Sequence, residues 1–240
     1  MNFSIIIPTV KNFENGLKPC IESIIKQTDL IDKEVIVVAN GSPLSAREYV
    51  ESLGPPFKLI WFDNAIGAPK AYNEGIKASS GRYVVLLNDD VIMLMNHWMP
   101  LLWTPFISDP SVGITGVIKF TLPVGSTERE AFAFWCVMIK REVIEKIGYL
   151  DEIFYPFGCE DMDFCIRAVN SGYRLVQVPD DTSVAFLGER PTTEKGLFKG
   201  NFPIYHKGSV TIDEYFNHDF EKKKLLEDRN LRIIYERYGN

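Results

Sequence analysis

Short apolar runs alternate with longer stretches of helical spacing as far as Val91. Residues 3–7, 34–39, 57–62 and 83–87 are nearly unbroken apolar segments, the pattern of strands buried on both faces. Between them, 17–27 sets Leu17, Cys20, Ile21, Ile24 and Ile25 at helical spacing. A short helix is predicted over 45–53, broken by Gly54-Pro55-Pro56, and another over 68–79, closed by Gly81. Such alternation predicts a mostly parallel sheet with right-handed crossovers. Beyond Val91 the rhythm loosens. Helices are predicted over 98–107, despite Pro100 and Pro105, over 141–147 before Gly148, and over 161–170 before Gly172. Strands are predicted over 112–120, 132–139, 174–178 and 183–187. Residues 188–202 have no period, and 211–238 are charged, amphipathic and predicted helical. No repeat or linker divides the chain, so one domain is expected over 1–240, in two halves (1–91 and 92–210) with a helical tail (211–240).

Composition narrows the classes. Hydrophobic residues make up 46% and charged residues 24%, enough for a full core and against disorder. The net charge is −6, and the longest basic run, Lys222-Lys223-Lys224, lies in a charged helical segment where a solvated face is its plain explanation. Nucleic-acid binding therefore has no support. No basic segment followed by an apolar stretch opens the chain, and no apolar run approaches the ~20 residues that span a bilayer. The expectation is a cytoplasmic protein, or one peripheral at the inner membrane face, without a transmembrane segment. Cys20, Cys136, Cys159 and Cys165 form no close pair and are expected to be free thiols.

Candidate chemistry gathers where strands end. The fourth strand runs into Asn88-Asp89-Asp90, which delivers two adjacent carboxylates to the carboxyl edge of the sheet, where open α/β sheets bind ligands. Side by side they repel unless a cation joins them, and Mg²⁺ or Mn²⁺ shared with a substrate's phosphates is the usual partner. A solvated turn is the alternative. Pro8-Thr9 and Asn40 end two other strands and can converge on the same crevice. Asn40 offers a donor and an acceptor to a base, or makes an ordinary Asn-Gly turn. Lys70 and Asn73 lie early in the third helix, beside an N-terminus that favours anions. Glu160-Asp161 enter a later helix after Gly158. One can be a cap, but two beside a metal-binding strand end point to a general base. Asp163 and Arg167, four apart, should pair on that helix. His206 is a candidate metal ligand, whereas His97 and His218 have no such context.

These stretches together resemble a family 2 glycosyltransferase with the GT-A fold. The resemblance rests on Phe3-Ser-Ile-Ile-Ile-Pro-Thr9, Val37-Val-Ala-Asn-Gly-Ser42, Gly67-Ala-Pro-Lys-Ala-Tyr-Asn-Glu-Gly75, Leu87-Asn-Asp-Asp-Val91, Gly148-Tyr-Leu-Asp-Glu152 and Glu160-Asp-Met-Asp-Phe-Cys-Ile-Arg167, in the family's order over roughly residues 3 to 210. It implies an α/β fold with a mostly parallel Rossmann-like sheet flanked by helices and a smaller mixed sheet on the acceptor side. It implies Asn40 at the nucleotide base, Asp89 near the ribose, Asp90 on Mn²⁺ or Mg²⁺, His206 on that metal or on the diphosphate, Asp161 as catalytic base and Glu160 beside it for the acceptor. The donor would be a UDP-, dTDP- or GDP-linked sugar, bound by Pro8, Thr9, Asn40, Lys70, Asn73, Asn88 and Asp89. The acceptor would be a carbohydrate or another hydroxyl compound, in polysaccharide biosynthesis. Asn88, Ala39 and Tyr72 depart from the family's usual Asp, Asp and Arg.

Phe134, Trp135 and Tyr155 are candidate acceptor walls, since sugars pack on aromatic faces, although each can equally be core. Gly188, Gly196 and Gly200, with Arg190, Lys195 and Lys199, make 188–202 a candidate lid leading into His206. Two rivals remain. A sugar-phosphate nucleotidyltransferase would show a Gly-rich, basic loop after the first strand, and Pro8-Thr9-Val10-Lys11 is not one. A catalytically silent nucleotide-sugar-binding subunit would not need Asp90, Asp161 and His206 intact.

Overall fold

The computed structural model describes residues 2–178, 204–206 and 219–239. Its centre is a seven-stranded sheet. Strands β1 (Phe3–Thr9), β2 (Lys33–Asn40), β3 (Phe57–Phe62) and β4 (Tyr83–Leu87) run parallel in the order β3-β2-β1-β4. Beyond β4 lie β9 (Cys136–Lys140), β6 (Val112–Gly116) and β10 (Arg174–Gln177). Only β9 is reversed, antiparallel to both β4 and β6.

Successive side chains of the central strands serve opposite faces, as period-2 geometry requires. Ile5, Ile7, Val35, Val37, Val85 and Leu87 pack beneath α1 (Lys18–Gln27), α2 (Leu44–Leu53) and α4 (Trp98–Ser108). Ile6, Ile36, Val38, Val84 and Leu86 pack beneath α3 (Ala68–Ala78), α5 (Arg141–Ile147) and α6 (Glu160–Asn170). Both faces are covered, which is why the strands read as unbroken apolar runs. α3 lies very close to the sheet: a Cβ on Gly75 would meet Ile6 Cγ2 at 2.3 Å.

The less periodic half differs from expectation in three places. The strand expected over 112–120 is two, β6 and β7 (Lys119–Val124), because the chain leaves the main sheet after Gly116. The strand expected over 132–139 is also two, β8 (Thr127–Phe132) and β9, separated by Ala133-Phe134-Trp135. There Ala133 N–H donates to Ile118 O, and Trp135 O accepts from Asn88 N–H, so the ladder is interrupted. β7 and β8 form a separate hairpin, and β5 (Val91–Met93) pairs antiparallel with β11 (Ile204–His206). The expected second sheet is thus two small ones. Pro100 sits in the first turn of α4, where its missing N–H costs nothing, and the helix continues through Pro105. All four cysteines are free and buried.

The tail forms α7 (Phe220–Tyr238), begun by Asp219, whose side chain accepts from Lys222 N–H. It covers a third apolar cluster of Val124, Phe154, Cys159, Ile166 and Ile234. The strand expected over 183–187, the candidate lid over 188–202, and His218 lie outside the described residues.

Candidate active site

Because β1, β2 and β4 run parallel, their carboxyl ends share one edge, and the strand order turns back at β1. That is the switch point at which such sheets leave a crevice. The pairing Ile6↔Leu86 brings Thr9 level with Asp89, and Thr9 Oγ1 donates to Asp89 Oδ2 at 2.7 Å. Asn40 is occupied at both ends. Its Nδ2 donates to Thr9 O (2.9 Å), and its Oδ1 accepts from Ile66 N–H (3.3 Å). Asn40 therefore fixes the rim of the crevice. The Tyr72 hydroxyl, on α3, donates to Asn88 Oδ1 at 2.9 Å and lies 3.3 Å from Phe134 O. Burial, followed by the charges of Glu160, Asp89, Asp90 and Asp161, raises the pKa of Tyr72 well above that of a free phenol, so it stays a donor.

Asp90 follows β4 and precedes β5, which pairs His206 with Val91. This puts His206 Nε2 3.1 Å from Asp90 Oδ1, both side chains being nearly buried. The approach is close, yet neither atom has a hydrogen-bond partner. Two ligands at right angles on a Mg²⁺-sized ion, each about 2.1 Å from it, would stand about 3 Å apart. The donor set, one carboxylate and one imidazole, fits such a cation. Among the described residues no third His, Cys, Asp or Glu completes a cluster. A shell finished by phosphate oxygens and water suits Mg²⁺ and Mn²⁺. The Trp135 ring stacks on His206 at 4.3 Å and holds it in place.

The cavity is also lined by Gly158 (φ 96°), which with Cys159 (φ 70°) makes the left-handed turn that starts α6. The turn places Glu160 and Asp161 in the first helical turn, where carboxylates are favoured by the helix dipole. Asp161 Oδ1 accepts from Met162 N–H at 2.8 Å. Burial nevertheless raises the pKa of Asp161 above the usual carboxylate range, against the pull of the Met162 and Phe134 N–H groups. Burial and then the neighbouring Asp161 charge raise Glu160 as well, and its Oε2 has no hydrogen-bond partner. Two acids this close share their protons and titrate as a pair.

All these groups line one cavity of about 330 Å³. Of the candidate site residues, Pro8, Thr9, Asn40, Asn88, Asp89, Asp90, Phe134, Trp135, Glu160, Asp161 and His206 line it. Three candidates lie outside its lining. Lys70 is exposed on α3. Asn73 is buried and committed to the fold: Nδ2 donates to Leu150 O and to Glu152, and Oδ1 accepts from Leu150 N–H. Tyr155 is half exposed, and Pro156, Phe157 and Gly158 line the wall in its place. Tyr72 was not foreseen as a site residue. Its position one turn after Ala68, at the start of a helix already read as flanking the crevice, was the available signal.

Residues 4–159 match the family model described as Glycosyl transferase family 2. The chain belongs to that family. Among curated relatives, the O-antigen biosynthesis protein RfbC of Myxococcus xanthus is 26% identical over 211 residues, covering 72% of this chain and 16% of that protein. The chain spans under a quarter of the length of the first curated relatives it matches. Among solved structures, the mannosyltransferase PcManGT from Pyrobaculum calidifontis, in complex with GDP-Man and Mn²⁺, superposes with a TM-score of 0.61 at 20% identity, over 75% of this chain and 55% of that one. TarS residues 1–349 of S. aureus, in complex with UDP-GlcNAc, gives 0.56 at 21% identity, over 75% and 56%. The architecture is thus GT-A, a mainly parallel sheet flanked by helices with small separate sheets.

Proposed function

We propose that this family 2 glycosyltransferase is metal-dependent and inverting, moving a sugar from a nucleoside-diphosphate donor to an acceptor hydroxyl. One observation carries the reading. The orphaned Asp90–His206 pair and the proton-hungry Glu160–Asp161 pair line one and the same cavity. Residues 1–91 would hold the nucleotide at the ends of β1, β2 and β4. Residues 92–210 would present the acceptor against Phe134, Trp135 and the 156–158 wall.

Thr9 and Asp89 orient the ribose side of the donor, with Asn40 keeping the rim rigid. Asp90 and His206 would hold a divalent cation, which when bound supplies Lewis-acid neutralisation of the leaving diphosphate. Asp161 accepts the proton of the acceptor hydroxyl as that oxygen bonds to the anomeric carbon from the face opposite the diphosphate. The old carbon–oxygen bond breaks, and its electron pair leaves on the nucleoside diphosphate, so the anomeric configuration inverts. Glu160, whose raised pKa favours its protonated form, would bind the acceptor by donating to one of its oxygens. Trp135 and the buried strand ends exclude water and so limit donor hydrolysis. The sugar nucleotides named in the PcManGT and TarS complexes support a hexosyl donor. The O-antigen name of the M. xanthus relative supports a glycan acceptor in polysaccharide synthesis.

The test is a panel of nucleotide sugars with Mn²⁺ and simple glycoside acceptors, read by nucleoside-diphosphate release and by the anomeric configuration of the product. We expect metal-dependent release and an inverted linkage. Binding without turnover of any donor would mean a silent subunit, and pyrophosphate release from a nucleoside triphosphate and a sugar phosphate would mean a nucleotidyltransferase.

A further inference from the structure

We propose that α7 is a clamp on the catalytic turn and that Asn230, on its buried face, is a positioning residue for Asp161; this rests on the reading of Asp161 as the base. Asn230 is fully buried. Its Nδ2 donates to Phe157 O at 2.9 Å and to Gly158 O at 2.8 Å. These are the two carbonyls immediately before Cys159, and Phe157 and Gly158 line the same cavity as Glu160 and Asp161. A non-glycine residue such as Cys159 is disfavoured in the left-handed region, so its surroundings must impose that conformation. α7 does so in two ways. Ile234 packs with Cys159 in the third apolar cluster, and one amide nitrogen gathers the two carbonyls whose directions define the turn.

The rest of α7 holds both flanks of this segment. Arg229 donates to Tyr155 O (3.0 Å) and to Ile153 O (2.9 Å). At the other end, Arg237 donates to Asp151 Oδ2 and to Asp163 Oδ1, each at 2.8 Å, and the Tyr238 hydroxyl donates to Asp163 Oδ1 at 2.7 Å. A single helix thus spans 151–163, the stretch that contains Glu160 and Asp161. None of these bonds touches the ends of β1, β2 or β4. Loosening the clamp should therefore disturb proton transfer without disturbing the nucleotide.

The experiment uses the full chain with Asn230→Leu, similar in volume but without donors. Calorimetric binding of the nucleoside diphosphate released in the donor panel, with Mn²⁺, is expected to keep its affinity and stoichiometry. Turnover is expected to fall by about 10–100-fold, the scale of a misplacement near 1 Å. In an Asp161→Asn background the same change is expected to add nothing, since residues acting as a unit are non-additive. Tyr235→Phe, which frees α7 from Pro123 O but not from the turn, is expected to retain activity. Should Asn230→Leu not fold, the exposed Arg229→Met decides the matter, with turnover expected to fall by about 3–10-fold at unchanged nucleotide binding. Wild-type turnover of the folded Asn230→Leu protein, or failing that of Arg229→Met, overturns the clamp. So does a full loss added on top of Asp161→Asn. Wild-type turnover of Asp161→Asn itself would instead overturn the base assignment on which the clamp rests.

Discussion

Buried and half-buried carboxylates behave in two opposite ways at the level of single residues. Glu34 is fully buried, but it accepts from Ser4 Oγ, Ser80 N–H, Ser80 Oγ and Lys58 Nζ. Burial pushes its pKa up, and these donors outweigh burial and hold it at about 2. A depressed folded pKa contributes stability that is complete above the ordinary carboxylate range and is lost as pH falls through about 2. Glu34→Gln should cost about 1–3 kcal/mol at neutral pH by urea denaturation, with the difference from wild type shrinking in acid. Asp161 and Glu160 have the opposite sign. Their raised pKa values mean that the folded state loses stability as pH rises past the ordinary carboxylate range toward the folded values. Asp161→Asn should therefore raise the melting midpoint at neutral pH while lowering turnover by about 10²–10⁴-fold. In the wild type, turnover should rise with pH through a value above the usual carboxylate range, because Asp161, the proposed base, would work only when ionised. A lowered melting midpoint with near-normal turnover would make Asp161 a helix cap.

Sequence pattern decides most where an element is long and buried on both sides. β1, β2, β4 and α1 to α3 were legible because continuous apolar runs and helical spacing have no competing interpretation there, and the half-exposed edge strand β3 was legible from a run broken only by Lys58. The Asp163–Arg167 pair was legible from its spacing and closes at 2.8 Å. The motifs at strand ends located the cavity, since strand direction alone sends Thr9, Asn40 and Asp89 to one edge. Legibility fails where tertiary contacts override local pattern. The apolar run 132–139 hides a break because Phe134 and Trp135 are drawn out to the cavity, where their apolar character serves equally well. β5 and β11 are three residues each and have no period to read, yet their pairing is what brings His206 to Asp90. Asn73 and Lys70 were read from helix position, but only the packing shows that Asn73 is spent on Leu150. The same packing gives a test of α3. Alanine normally stabilises a helix relative to glycine by about 1 kcal/mol. Gly75→Ala should instead destabilise by about 1–3 kcal/mol in urea denaturation, because its Cβ has no room against Ile6 Cγ2. A gain in stability would show that α3 can lift from the sheet at little cost.

At the scale of the whole molecule, one cavity is assembled from three distant stretches: the strand ends up to Asp90, the turn at Gly158–Asp161, and His206 on β11. No described helix is long and apolar enough to cross a membrane, and the apolar residues go instead into the layers on either side of the sheet. The cavity's acidity is costly as it stands, with Asp89, Asp90, Glu160 and Asp161 on its walls and orphaned atoms on Asp90 and His206. A divalent cation bound with the nucleoside diphosphate would relieve both, so binding should stabilise the entire fold. Ligand at 100 times its dissociation constant adds about 2.7 kcal/mol to folding stability. Mn²⁺ with the nucleoside diphosphate should therefore raise the wild-type melting midpoint by several degrees, and the diphosphate with EDTA should raise it far less. Asp90→Ala removes one of the two side chains proposed to hold the cation and some carboxylate repulsion together. Its ligand-free midpoint should equal or exceed that of the wild type, while its response to Mn²⁺ and diphosphate should nearly vanish. His206→Ala should weaken the same response, because β11 brings that imidazole to Asp90, where the cation is proposed to bind. Equal thermal shifts with Mn²⁺ and with EDTA, or a full shift in Asp90→Ala, would mean that the donor is held without the Asp90–His206 pair.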